Sequence, residues 1–271
     1  ARKNNMKAAL MTFNRHPSIV YRKLNAGRYA NLTQPEQKAK IIENLGVDIL
    51  YEVFFNSEFG NLPPQEFVDQ YIVAWNAKVI VAGYDYTYGK PDIASMEQLP
   101  KYAKNRFEII QVGEAKESGE TISSTMIRQY IAKGELEKAN AMLGYHYETL
   151  GFVIHGDARG RELGYPTANI YSNPYTYLPS EGIYAVWLTV KGKRYMGMAS
   201  IGYNVTFKNQ SELSVEVNIL DFNEEIYGDD VKIEWVAYLR GEVKFNGAEE
   251  LVKQLHEDEI NTRRILETKE V

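Results

Sequence analysis

Three glycines and two arginines fall within the ten residues Gly156–Tyr165 of His155-Gly156-Asp157-Ala158-Arg159-Gly160-Arg161-Glu162-Leu163-Gly164-Tyr165-Pro166-Thr167-Ala168-Asn169. Glycine lets backbone N–H groups approach oxyanions closely, and arginine adds charge-assisted hydrogen bonds, so the stretch suits phosphate binding. Thr167 and Asn169 supply a hydroxyl and an amide oxygen, hard donors of the kind Mg²⁺ takes. The Gly-Lys-Ser/Thr ending of a Walker A loop is absent. Spacing alone leaves a second reading open, a glycine-rich connection between two strands with Thr167 and Asn169 making turn bonds. Glu216 is the other chemical candidate. On the strand expected at Leu213–Leu220, Val215, Val217 and Ile219 share one face, and Ser214, Glu216 and Asn218 share the other. A strand glutamate is more often a solvated outer-face carboxylate, so the pattern alone does not make it a base.

The elements that must hold these residues divide into two textures. In the first half, strands at Ala8–Phe13, Ile49–Phe55, Lys78–Ala82 and Phe107–Val112 alternate with helical patterns. Those helices are expected from Thr33, capped with Glu36 and ended by Gly46, and over Pro64–Asn76, Ser95–Asn105, Thr125–Lys133 and Glu135–Leu143. This order predicts a mostly parallel sheet with helices on both faces. Beyond Tyr145 the strands run without helices between them: Glu148–Ile154, Ile183–Val190, Tyr195–Ile201, Leu213–Leu220 and Val231–Leu239. Val190-Lys191-Gly192-Lys193-Arg194 reads as a hairpin turn, and the run predicts a small antiparallel barrel or sandwich. A last helix, capped by Asn246 with Glu249, buries Leu251, Val252, Leu255 and Ile260.

Resemblance adds what spacing leaves open. Gly-Arg-x-Leu-Gly-Tyr-Pro-Thr-Ala-Asn, here Gly160–Asn169, resembles the signature of the riboflavin kinases, in particular the C-terminal half of the bacterial bifunctional riboflavin kinase/FAD synthetases. Three further blocks agree in order: Ile201–Phe207, where the family often has proline in place of Val205; Val215–Phe222 with Ile226-Tyr227-Gly228; and Tyr238-Leu239-Arg240 with Lys244-Phe245. The resemblance implies that Glu216 is the base for the riboflavin 5′-hydroxyl. It implies that Gly156 and Arg161 contact ATP phosphates, and that Thr167 and Asn169 hold Mg²⁺ with ATP oxygens. ATP is then the co-substrate, and riboflavin, FMN and FAD are the substrates and products.

The N-terminal half is similar to the family's FMN adenylyltransferase module. Thr12-Phe13-Asn14-Arg15-His16-Pro17 resembles Thr-Phe-Asp-Pro-His-Pro, departing at Asn14 and Arg15. Val81–Lys90 resembles an aromatic loop at the carboxyl end of a strand, where open α/β sheets bind ligands. Ile122–Arg128 matches Ile-Ser-Ser-Thr-x-Ile-Arg at a helix start. The resemblance implies ATP/FMN contacts from Asp85, Ser124, Thr125 and Arg128. Plain helix capping is the alternative for Ser124 and Thr125, and a structural role the alternative for His16. The superfamily's His-x-Gly-His-like triphosphate motif occurs nowhere in the chain: His16, His146, His155 and His256 lie in other contexts. Family members carry it upstream, so the sequence is expected to begin inside a domain.

The expected architecture is α/β plus all-β: a Rossmann-like nucleotidyltransferase domain over residues 1–144, then a small antiparallel barrel with a C-terminal helix over 145–271. A kinase with a degenerate N-terminal domain and a non-catalytic flavin-binding protein are the rival functions. Thr167, Asn169 and Glu216 together speak against the second, because a pure binder needs neither metal ligands nor a base. The 31 basic and 36 acidic residues give a net charge of -5, which disfavours nucleic acid as a partner. The absence of cysteine excludes disulfides and thiolate metal sites. No apolar run approaches the ~20 residues a membrane helix needs, which disfavours a transporter or efflux pump. No signal-peptide pattern opens the chain, and a cytoplasmic enzyme without an obligate protein partner is expected.

Overall fold

A computed structural model of the chain describes residues 1–21, 30–156, 159–203 and 213–268. Asp157 and Ala158 of the glycine-rich stretch, and Asn204–Phe207 of the Ile201–Phe207 block, lie outside the described residues. The chain forms two compact units, Ala1–Tyr29 with Gln34–Thr121, and Ala30–Thr33 with Ile122–Val271.

The first unit is built of parallel strand pairs with helical crossovers. β1 (Ala9–Phe13) pairs in parallel with β2 (Ile49–Val53), and β3 (Val79–Gly83) with β4 (Glu108–Val112). A short hairpin, β5 (Lys116–Glu117) and β6 (Glu120–Thr121), follows. The helices are α1 (Ser18–Tyr21), α2 (Pro35–Asn44), α3 (Ser57–Gly60), α4 (Pro64–Phe67) and α5 (Leu99–Ala103). α2 starts one residue later than the sequence predicts. Gln34 and Gln37 form the capping box in place of Thr33 and Glu36, and Pro35 takes the first helical position, where its missing N–H is no loss. Thr33 instead directs its hydroxyl to Tyr145 at 3.4 Å. The helix expected over Pro64–Asn76 is α only to Phe67 and then widens into a π-helix over Val68–Val73. Phe67, Val68, Ile72, Met96 and Leu99 form the buried centre, and strands β1, β3 and β4 add Met11, Ile80 and Ile109 to it.

In the second unit, α6 (Ser124–Ala132) and α7 (Leu136–Leu143) precede a closed six-stranded barrel. Its strands are β7 (Tyr147–Ile154), β8 (Thr167–Ser172), β9 (Gly182–Val190), β10 (Lys193–Tyr203), β11 (Leu213–Ile219) and β12 (Asp230–Arg240). They are hydrogen-bonded in the order β10-β11-β8-β7-β12-β9, every neighbouring pair antiparallel. A one-turn helix, α8 (Arg159–Glu162), lies between β7 and β8, and α9 (Ala248–Thr268) ends the described chain. The β9–β10 hairpin turns at Lys191 and Gly192, both with positive φ (51° and 75°), the geometry of a type I′ turn.

Alternation along the strands fills the barrel with Val186, Leu188, Ala199, Ile201, Val215, Val217, Ile233 and Trp235, all buried. The Trp235 indole N–H donates to Thr149 Oγ1 at 2.9 Å, so the largest core side chain keeps its polar atom satisfied. Ala185, Trp187, Val236 and Ala237 point outward yet are buried with Leu266 of α9. This second covering explains why β9 reads as an almost continuous apolar run. The apolar stripe expected on α9 is only partly realised: Ile260 is 54% exposed, while Asp258 is buried. Arg240 causes this, because its guanidinium donates to both Asp258 carboxylate oxygens at 2.7–3.1 Å. Asn246 Nδ2 and its backbone N–H reach Glu250, not Glu249, since the helix begins at Ala248.

Candidate active site

Pairing of β8 with β11 assembles the site. The register sets Glu216 opposite Asn169 and Asn218 opposite Thr167. Residues directly opposite share a face, as do residues two apart, so all four side chains project from one side of the ladder. Thr167 Oγ1 donates to Glu216 Oε2 at 3.0 Å, and both residues are half-buried. Among the described residues Glu216 Oε1 has no hydrogen-bond partner. Asn218 Nδ2 donates to the Pro166 carbonyl at 2.7 Å and fixes the backbone just before Thr167. The sequence predicts five strands in this half with Thr167 and Asn169 following a loop; both lie instead on a sixth strand, β8, which begins at Thr167 itself.

The glycine-rich stretch closes on itself. Gly160 O accepts from Leu163 N–H at 3.2 Å and from Tyr165 N–H at 2.9 Å. Gly164 takes φ 82°, and a methyl group on Gly160 would lie 2.3 Å from Tyr165 O. A cleft is lined by Gly156, Arg161, Pro166, Thr167, Asn169 and Tyr227. Thus Gly156, Arg161, Thr167 and Asn169, all expected around ATP, do converge. The Arg161 guanidinium is exposed and has no ion-pair partner among the described residues. His155 stacks on Tyr227 with ring centroids 3.8 Å apart, forming one wall.

The residues expected to serve adenylyl transfer are split between the units. Asp85 belongs to the first, exposed in the turn after β3, where Tyr86 N–H bonds Gly83 O at 3.1 Å. Ser124, Thr125 and Arg128 belong to the second. Ser123 caps α6 by accepting from Met126 N–H at 3.2 Å, so capping leaves the exposed Ser124 and Thr125 hydroxyls unengaged. Arg128 Nη2 donates to Ala30 O at 3.1 Å, and its guanidinium lies 5.6 Å from the Tyr177 ring centroid. His16 Nδ1 is hydrogen-bonded to Ser18, a local structural contact. Asn14, which departs from the family pattern, accepts from Phe55 N–H at 3.0 Å and ties the ends of β1 and β2. Sequence reasoning missed Lys38, whose ammonium donates to Thr12 Oγ1 at 2.8 Å at the carboxyl end of β1. Burial holds its pKa below the ordinary lysine value despite the nearby Glu52 carboxylate.

Comparison with known proteins matches two families in succession along the chain. The riboflavin kinase family model matches residues 143–266, and the FAD synthetase model matches residues 1–126. A bifunctional riboflavin kinase/FMN adenylyltransferase of Listeria monocytogenes is 49% identical over 258 residues, covering 95% of this chain and 82% of its own. Its Bacillus subtilis counterpart is 42% identical over 260 residues, with the same coverage of 95% and 82%. A solved Streptococcus pneumoniae structure described as a macrolide-efflux protein superposes with a TM-score of 0.90 at 41% identity, covering 97% of this chain and 85% of that one. Among the described residues of this chain, no helix is long and apolar enough to cross a membrane.

An α/β unit matched by a nucleotidyltransferase-type model, followed by a barrel with a hydroxyl–carboxylate pair beside a glycine turn, defines a two-domain transferase acting on flavins. The chain belongs to the bifunctional riboflavin kinase/FMN adenylyltransferase family.

Proposed function

We propose that the barrel transfers the γ-phosphoryl group of ATP to the 5′-hydroxyl of riboflavin, with Glu216 as the base. The Thr167–Glu216 hydrogen bond of 3.0 Å carries this reading, because it orients one carboxylate oxygen and leaves the other for the substrate. Glu216 takes the hydroxyl proton, the hydroxyl oxygen bonds to the γ-phosphorus, and the bond from that phosphorus to the ADP oxygen breaks. Such a reaction asks little of the protein beyond in-line positioning and charge stabilisation. Gly156 and Arg161 serve the phosphates. Thr167 Oγ1 and Asn169 Oδ1 are hard oxygen donors on one face of β8 and fit Mg²⁺; Thr167 can still donate its proton to Glu216 while its oxygen binds the ion. Thr167 and Asn169 would hold such an ion, which would supply positive charge against the phosphates.

In the same reading, residues 1–144 serve FMN adenylylation, in which an FMN phosphate oxygen attacks the α-phosphorus of a second ATP and pyrophosphate leaves. Asp85, Ser124, Thr125 and Arg128 are the contacts proposed for it. The division at 144/145 leaves the barrel and α9 to the kinase. Small-molecule flavins and ATP are the partners, a cytoplasmic location goes with them, and neither nucleic acid nor an obligate protein partner is expected. The test is flavin chromatography after mixing the chain with riboflavin, ATP and MgCl₂. FMN followed by FAD supports both halves; FMN alone removes adenylylation from this chain; unchanged riboflavin overturns the kinase.

A further inference from the structure

Two segments must keep their places for Thr167 and Glu216 to meet: the turn leading into β8 and the end of β11. Both are tied to one residue of α9. Arg263 donates to Asp221 through two parallel bonds, Nη1 to Oδ2 at 2.7 Å and Nη2 to Oδ1 at 2.9 Å. Asp221 lies two residues past the end of β11, in the left-handed region at φ 56°. The same guanidinium grips Glu259 Oε1, one turn earlier on α9, at 2.8 and 3.0 Å. The other oxygen of Glu259 accepts from the Tyr165 hydroxyl at 3.5 Å, two residues before Thr167.

We infer that Arg263 is a positioning residue for phosphoryl transfer, clamping the far end of β11, whose middle carries Glu216, and, through Glu259 and Tyr165, the turn that delivers Thr167. The inference rests on the kinase reading above. Paired bonds to a planar guanidinium fix orientation as well as distance, which a lysine cannot reproduce. Hydrogen bonding to Arg263 holds the Asp221 carboxyl below its ordinary pKa, so the clamp stays charged at neutral pH. The Asp221 side chain is 74% exposed, and exposed ion pairs add little to folding stability. A rate effect without a matching loss of stability is therefore the signature.

The experiment compares Arg263→Gln, Arg263→Lys and Tyr165→Phe in the full chain, with FMN formation split into kcat and KM and thermal unfolding followed in parallel. Arg263→Gln is expected to lower kcat on the order of 10-fold, since small misplacements at a reacting centre are costly in rate. KM for riboflavin should stay within about 2-fold. Arg263→Lys should recover only part of the rate, and Tyr165→Phe should show a smaller loss of the same sign. An unchanged kcat in Arg263→Gln, full recovery by lysine, a loss confined to KM, or a rate loss that merely follows a lowered melting temperature would each overturn the inference. A wild-type chain that makes no FMN would instead overturn the kinase reading on which it rests.

Discussion

Gly156 and Asn169 approach so closely that a methyl group on the glycine would lie 2.1 Å from Asn169 Nδ2 and 2.4 Å from its Cγ. The glycine is thus required by the side chain of a proposed metal ligand as much as by phosphate. Gly156→Ala can be accommodated only if the Asn169 side chain swings away, which costs the fold little. Riboflavin phosphorylation is expected to fall roughly 10²-fold, because a displaced ligand misplaces the reacting groups. Steady-state kinetics with thermal unfolding checks this; a variant of normal activity would place Asn169 outside the reaction.

Glu216→Gln keeps the shape of the carboxylate but cannot accept a proton. Flavin and ATP binding should remain nearly intact while turnover falls roughly 10²- to 10⁴-fold, the range for loss of a general base. Unchanged turnover would remove Glu216 from that role. Thr167→Ala should raise the magnesium concentration needed for half-maximal rate, and an unaffected magnesium dependence would argue that the metal is held elsewhere.

Glu234 is expected to contribute to the acid limit of the barrel. Burial alone would raise its pKa, but His146, Lys232 and Arg194 outweigh that effect and bring it down to about 2 from an ordinary 4.5. Lys232 Nζ lies 2.8 Å and Arg194 Nη2 2.5 Å from its carboxylate. A depressed carboxylate contributes stability that is full above its unfolded pKa and lost as pH falls through the folded value. That window is 4.5 down to about 2, and the contribution is roughly 3 kcal/mol. Denaturant unfolding from pH 7 to pH 2.5 should register the decline, and Glu234→Gln should flatten it. An equally steep decline in the variant would assign acid sensitivity to other groups.

The Tyr88 hydroxyl is buried in the first unit without a hydrogen-bond partner among the described residues, packed near Phe67, Tyr86 and Tyr102. Burial drives its pKa far upward, so the group stays neutral. A buried unpaired hydroxyl is a net cost, and Tyr88→Phe is expected to stabilise the protein by about 1 kcal/mol. A lower melting temperature in this variant would mean that the hydroxyl has a partner in solution.

Much of this protein was legible in its residues. Alternation placed Glu216 on the polar face of β11, Val190–Arg194 announced the hairpin, and the strand and helix segments of the first half were readable, because these features depend on neighbours two to four positions away. The helix cap fell at Gln34 and not at Thr33, because Pro35 takes the first helical position and Gln34 pairs with Gln37, while the Thr33 hydroxyl lies 3.4 Å from that of Tyr145, 112 positions distant. Ile260, expected to be buried on α9, is exposed while Asp258 is buried, because Arg240, 18 residues earlier, draws the aspartate inward. The site itself divides in the same way. The residue types and their resemblance to a kinase signature came from the sequence, but the meeting of Thr167 with Glu216 across 49 positions came from the pairing of β8 with β11. Periodicity determines which side chains share a face of a strand; only long-range hydrogen bonding determines which other strand that face meets.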